Sequence, residues 1–207
     1  MKRIGLLGGS FNPAHRGHRR MSLAAMDALG LDELWWLVSP GNPLKPRAGM
    51  APFAARFGSA RAMARGTRIR VSDIEMRLGT RFTVDTVRAI VRGRPDDRFI
   101  WLMGADALAQ FHQWKQWRAL ARMVPIAVMS RPGYEGDARA ARAMGWLRWF
   151  VHPAATARRW TNWSAPAISL LRLPPDPTSA TRLRALDPDW HLRFADRAPR
   201  VALQEPI

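Results

Sequence analysis

The 207-residue sequence contains no cysteine, which excludes disulfide frameworks, thiolate catalysis and cysteine-ligated zinc or iron–sulfur sites. No apolar run approaches the ~20 residues that a membrane-spanning helix needs. The first ten residues turn at Gly8-Gly9, too soon for a signal peptide, so a soluble cytoplasmic protein is expected. Acid is scarce, with 16 Asp and Glu against 33 Lys and Arg, a formal charge of +17. Lysine is scarcer still: Lys2, Lys45 and Lys115 are all there are, and every other basic side chain of that count is arginine. What is present, 47% hydrophobic and 24% charged residues, is the composition of a folded globular chain. It excludes disordered and fibrous classes.

The basic excess has two readings. A surface of arginine could hold nucleic acid or another polyanion. The arginines are scattered singly along the whole chain, without arms or runs, which is the pattern of a bias of arginine over lysine. A nucleic-acid partner is therefore not expected. The scarcity gives Lys45 an argument of its own, because a lysine kept against such a bias is a candidate for a role that arginine cannot fill.

Short apolar runs alternate with helical spacing. Strands are expected at residues 2–7, 34–38, 69–72, 99–103, 125–129 and 168–173, and helices at 18–29, 51–65 and 83–91. A Pro/Gly-rich loop is expected at residues 39–50. The alternation points to βαβ units, hence a Rossmann-like, doubly wound, mostly parallel sheet with helices on both faces. Residues 1–207 read as one domain, with a helical portion from about residue 178 packed on it. In such sheets ligands bind at the carboxyl ends of the strands. The segment 133–167 carries Trp146, Trp149, Trp160 and Trp163 among Arg148, Arg158 and Arg159. Core or subunit packing is the expectation there, with base stacking as the rival.

The sharpest segment joins the first strand to the first helix: Gly8-Gly9-Ser10-Phe11-Asn12-Pro13-Ala14-His15-Arg16-Gly17-His18. Glycines there let backbone approach a phosphate, and the helix start offers N–H donors and a positive dipole end. Neither the P-loop pattern nor Gly-x-Gly-x-x-Gly is present. Two of the chain's five histidines, three residues apart, can face one ligand. A metal pair would need further ligands, and none is evident nearby.

This segment resembles the signature of the nucleotidyltransferase superfamily named for its His-x-Gly-His motif. Four further segments agree in order. Asn42-Pro43-Leu44-Lys45 resembles a phosphate-binding loop. Asp73-Ile74-Glu75 with Phe82-Thr83-Val84-Asp85-Thr86 resembles a pyridine-contacting segment. Met103-Gly104-Ala105-Asp106 with Trp114 resembles the family's Gly-x-Asp stretch and its tryptophan. Thr178-Ser179-Ala180-Thr181-Arg182-Leu183-Arg184 resembles a carboxyl-terminal Ser-x-Thr-x-Ile-Arg motif. Arg131-Pro132-Gly133-Tyr134 also fits. Together they cover residues 4–186 and are most similar to the bacterial nicotinate-nucleotide adenylyltransferases. The chain departs at Asn12, where aspartate is usual, at Leu44, where histidine is usual, at Arg81-Phe82-Thr83, and in the tail after Arg184.

The resemblance implies adenylyl transfer from ATP to nicotinate mononucleotide, a step of NAD biosynthesis, with Mg²⁺ arriving on ATP and no metal held by the protein. It implies catalytic roles for His15, His18, Lys45 and Arg184. ATP would meet Gly8, Gly9, Ser10, Phe11, Gly104, Asp106, Ser179 and Thr181. The mononucleotide would meet Phe82, Thr83, Trp114 and Arg131. Another adenylyl- or cytidylyltransferase of the superfamily is the nearest alternative, and a basic nucleic-acid-binding module is the alternative from another class. Assembly into a homo-oligomer is left open.

Overall fold

The computed structural model describes residues 1–41, 49–130, 139–172, 176 and 178–194. Six parallel strands form one sheet in the order β3-β2-β1-β4-β5-β6. They are β1 (Arg3–Gly9), β2 (Glu33–Val38), β3 (Ile69–Ser72), β4 (Arg98–Gly104), β5 (Ile126–Ser130) and β6 (Ile168–Arg172). The helices are α1 (Arg16–Leu29), α2 (Phe53–Ala64), α3 (Ile74–Arg77), α4 (Thr83–Gly93), α5 (Ala105–Gln110), α6 (Trp117–Met123), α7 (Met144–Leu147) and α8 (Ala180–Leu186), joined in places by 3₁₀ turns.

Strand periodicity sorts the side chains onto two faces. Ile4, Leu6, Trp35, Leu37, Phe99, Trp101, Met103, Ile126 and Val128 point to one face, under Val84, Val87 and Ile90 of α4 and Leu120 of α6. Leu7, Leu34, Trp36, Val38, Ile100, Leu102, Ala127 and Met129 point to the other, under α1 and α2. Both faces are covered, so β2 is buried along its whole length and reads as an unbroken apolar run after Glu33. Each fully buried side chain of this kind contributes about 1.5–3 kcal/mol.

α1 buries Ser22, Ala25, Met26 and Leu29, spaced at three and four residues. It ends at Gly30, whose φ of 61° places it in the left-handed region that glycine enters without strain. Leu31 N–H then returns to Met26 O at 2.9 Å. β1 extends beyond its expected end, running through Gly8 and Gly9, because Leu37 and Val38 of β2 pair with them.

The tryptophans of the 133–167 segment divide. Trp160 is buried and donates from Nε1 to Leu29 O at 3.0 Å, a core role. Trp146 joins an edge-to-face cluster with Trp117. Trp149 is 74% exposed, with Arg148 over its ring. No described helix is long and apolar enough to cross a membrane.

The connections set the site. β1 leads through α1 to β2 on one side, whereas β4 lies on the other side of β1 and leads away from it. The strand order therefore reverses between β1 and β4, and a crevice opens above their carboxyl ends. Leu7 pairs with Leu102, so Gly9 and Gly104 end neighbouring strands.

Candidate active site

The turn after β1 is a constrained piece of backbone. Phe11 has φ 46°, a left-handed conformation that costs a bulky residue of order 1–3 kcal/mol. Several bonds hold it. Asn12 Nδ2 donates to Gly49 O at 2.8 Å and its Oδ1 accepts from Ala51 N–H at 3.2 Å. The Phe11 ring stacks on Trp36, with centroids 4.9 Å apart, and meets His18 at 5.1 Å.

His15 is the N-cap of α1, and His18 is its third helical residue. The two form a reciprocal capping box, with the His15 side chain towards the His18 backbone N–H and the His18 side chain towards the His15 backbone N–H. His18 Nδ1 accepts from His15 N–H at 3.2 Å. That bond fixes the tautomer: a neutral His18 then carries its proton on Nε2, as a donor. The rings lie 3.8 Å apart between centroids, and both are close to Phe11 or the helix start. Sequence and structure agree that the pair shares one turn at the amino end of a 14-residue helix.

The carboxyl-terminal motif reaches the same turn. Arg184 Nη1 donates to Asn12 O at 2.6 Å, and its Nη2 donates to Thr181 Oγ1 at 3.3 Å. Ser179 caps α8 and accepts from Arg182 N–H at 3.2 Å. Each of these hydroxyls already accepts a bond, so each has its O–H left to donate. Asp176, buried, accepts from Thr178 N–H at 2.9 Å and lies 3.3 Å from Arg20 and 3.6 Å from Arg16. Hydrogen bonds from Thr178, then the two arginines, hold its carboxyl down at about 2.

Across the crevice, Gly104 is the N-cap of α5 and Asp106 stands in its first turn. The Asp106 carboxylate packs close over the Gly104 backbone, where a Cβ would have to push that exposed side chain aside. Further along, α4 begins at Thr83 with Phe82 as N-cap, and Phe82 has no side-chain acceptor for the first N–H groups. Lys115 Nζ lies 4.5 Å from the Phe82 ring centre and 3.1 Å from Asp85. This brings the start of α4 beside the Trp114 loop. Trp114 is half-buried, edge-on to Trp101 at 6.2 Å and to Phe111 at 5.4 Å.

His15, His18, Ser10, Phe11 and Arg184 thus gather at one turn. Gly8, Gly9, Gly104 and Asp106 gather at neighbouring strand ends. Phe82, Thr83 and Trp114 form a separate group beside α4. Lys45 and Arg131 lie outside the described residues.

Of two further residues at the site, Arg56 carried no local sequence signal, and Glu75 was marked only through the resemblance of Asp73-Ile74-Glu75. Arg56 of α2 is 1% exposed and donates into the loops after β1 and β2. The one available clue was its phase, since it falls four and eight residues before buried Ala60 and Ala64. Glu75 of α3 is buried against Ser39, and burial raises its carboxyl to about 7 despite that hydrogen bond. Among the described residues, no cluster of three or more His, Cys, Asp or Glu is placed to hold a metal ion.

Comparison with known proteins places this geometry. The chain matches the cytidylyltransferase-like family over residues 6–185. It is 60% identical over 193 residues to a "Probable nicotinate-nucleotide adenylyltransferase" of Erythrobacter litoralis, covering 93% of this chain and 88% of that one. It is 51% identical over 191 residues to a protein of the same description from Parvibaculum lavamentivorans, covering 92% and 94%. A solved structure of Plasmodium falciparum nicotinic acid mononucleotide adenylyltransferase complexed with NaAD shares the fold. Its TM-score is 0.63 at 15% identity, covering 89% of this chain and 83% of that one. The chain belongs to the nicotinate-nucleotide adenylyltransferases, within the cytidylyltransferase-like nucleotidyltransferases.

Proposed function

We propose that the chain, as one domain, transfers the adenylyl group of ATP to nicotinate mononucleotide. The 5′-phosphate oxygen of the mononucleotide attacks the α-phosphorus of ATP. The bond to the β-phosphate breaks, and deamido-NAD and pyrophosphate leave. The observation that carries this reading is the His15–His18 pair, capping α1 at a turn that Arg184 binds from the far end of the chain.

The chemistry asks little beyond placement. The attacking phosphate is ionised at neutral pH, so no general base is required. Catalysis then rests on aligning two polyanions and meeting the charge that builds on the leaving pyrophosphate. His18, with Nδ1 occupied by His15 N–H, offers Nε2–H to a phosphate oxygen. His15 stands beside it at the positive end of α1. Arg184, on α8, and Lys45 hold the triphosphate. Ser179 and Thr181 donate their hydroxyl protons to the β and γ phosphates. Gly8, Gly9, Ser10 and Phe11 form the floor of the nucleotide site, and Asp106, beside Gly104, accepts from the ribose hydroxyls.

A divalent cation, Mg²⁺ in this reading, would arrive with ATP rather than in a protein cage, and would offset charge on the triphosphate. The mononucleotide lies over Trp114, with Phe82, Thr83 and Arg131 around its ring and carboxylate.

The test is pyrophosphate release from ATP and Mg²⁺ with a panel of mononucleotides. Turnover with nicotinate mononucleotide well above the others supports the reading. Turnover only with a different acceptor, or with CTP in place of ATP, overturns it.

A further inference from the structure

Besides its own capping box and Arg184, the β1–α1 turn is held by α2 at both ends. Arg56 Nη1 donates to Ser10 O at 2.8 Å and to Ser39 O at 2.7 Å. Its Nη2 reaches Pro40 O at 3.3 Å and its Nε reaches Ala51 O at 3.0 Å. One guanidinium therefore ties together the turn after β1, the loop after β2 and the lead-in to α2. Three residues later on the same helix, Ser59 Oγ accepts from Ala14 N–H at 3.2 Å and donates to Arg56 O at 2.8 Å. The two grips fall on Ser10 and Ala14, so they bracket Phe11, Asn12 and Pro13.

Arg56 is unusual for a buried cation. No carboxylate among the described residues pairs with it; four backbone carbonyl dipoles surround it instead. Removing such a charge from water is costly, and the four carbonyls that accept from it offset that cost while depending on it for their own hydrogen bonds. Stabilising the fold and shaping the turn are therefore coupled in this one side chain. What the fork provides is geometry. It fixes the carbonyl of the residue before Phe11, whose left-handed backbone persists only if its surroundings determine it. Phe11 in turn lies against the His18 ring.

We propose that Arg56 and Ser59 are positioning residues for the transfer reaction, acting through Phe11 to hold the His18 imidazole in its donor orientation. This rests on the adenylyl-transfer reading and assigns to α2 the part of a backing plate for the phosphate turn. Arg56 also leaves a positive charge beneath the turn that no described acid cancels.

Two variants test it, each read by kinetics and by the ¹⁵N chemical shifts of the His18 ring. Arg56→Lys keeps the charge but cannot reproduce the planar fork. It should lower kcat by about 10- to 100-fold, the scale of a small misplacement, with both KM values moved by less than about 3-fold. Ser59→Ala should act in the same sense and less strongly. In both, the His18 ring nitrogens should leave the Nε2–H pattern of the parent for a mixture of tautomers. If Arg56→Lys does not fold, Ser59→Ala decides on the same two measurements.

Unchanged kcat in the folded variants overturns the proposal. So does a fall in kcat with the His18 spectrum unmoved, or a loss lying entirely in KM. Failure of the parent protein to release pyrophosphate would instead reject the underlying reading, and the His18 spectrum would still decide whether α2 sets the turn.

Discussion

The guanidinium of Arg184 donates to the backbone carbonyl of Asn12 at 2.6 Å, joining residues 172 positions apart in sequence. Asn12 lies directly after strained Phe11, so Arg184 has two tasks: it fixes the turn, and it brings a cation to it. Arg184→Ala should therefore raise KM for ATP about 10-fold or more, the scale of one charge-assisted hydrogen bond, and lower kcat as the turn loosens. KM for the mononucleotide should move less. Steady-state kinetics with each substrate varied in turn checks this. Equal rises in the two KM values would leave Arg184 with the structural task alone.

His18 also has two bonds to lose. Its Nδ1 accepts from His15 N–H, and its Nε2–H is the proposed phosphate donor. His18→Ala should lower kcat by ~10²–10³, the cost of one preorganised transition-state donor. It should also cost the fold about 1 kcal/mol through the lost cap. Kinetics measured well below the melting temperature separates the two effects. Activity within a few-fold of the parent would reject the catalytic role.

Glu75 gives a stability prediction with a definite sign. Burial lifts its carboxyl from the ordinary 4.5 to about 7, with the Ser39 hydrogen bond opposing. The folded protein thus binds a proton there more tightly than the unfolded chain does. Between pH 4.5 and about 7 the folded state holds more protons, so this group makes stability fall as pH rises, and the loss is complete above about 7. A displacement of that size corresponds to roughly 3 kcal/mol. Glu75→Gln keeps an acceptor for Ser39 and cannot ionise. It should be more stable than the parent at pH 8 and close to it at pH 5. Urea melts at the two pH values settle it; a variant that is less stable at pH 8 would show that the carboxylate is welcome in its site.

Much of this architecture was legible because sheet and helix periods are local signals. All six strands are where short apolar runs predicted them, with ends shifted by one or two residues. Helices α1, α2 and α4, of 11 to 14 residues, were long enough to show their period. The missed ones were not: α3 and α7 have four residues each, and α5 and α6 have six or seven, whereas α8, also of seven, starts where a helical portion was expected. Such short pieces are held by caps and tertiary contacts rather than by a pattern. The site divides in the same way. His15 and His18 announce themselves by spacing. Arg56 does not, because in an arginine-rich chain nothing local marks the one whose partners lie in loops up to 46 residues away. Asp176 left only a faint sign, an Asp two residues before the N–H that it accepts from, in a proline-rich stretch of sequence.

The choice between nicotinate and nicotinamide mononucleotides turns on one pyridine substituent, a carboxylate against a carboxamide. The start of α4 offers backbone N–H groups at Thr83 and Val84, and its N-cap Phe82 supplies no competing side-chain acceptor. A carboxylate can accept from such donors and gains up to ~2 kcal/mol from the positive helix end. An amide turning its NH₂ towards them leaves groups unpaired, at a cost of ~1–3 kcal/mol. The Glu75 carboxyl is engaged by Ser39, and burial raises it to about 7. The preference for the acid should then be roughly 10²-fold or more in kcat/KM, following the sum of those two terms. In the proposed reading Trp114 is the flat partner for the ring; it is half-buried and met edge-on by Trp101 and Phe111. Trp114→Ala should raise KM for the mononucleotide and leave KM for ATP nearly unchanged, since the histidine turn and Arg184 lie on other elements. Loss of stability with both substrates impaired together would instead make Trp114 a packing residue. The deciding measurement is kcat/KM for the two mononucleotides at fixed ATP and Mg²⁺. Equal values, or a preference for the amide, would remove the acid assignment and leave adenylyl transfer in place.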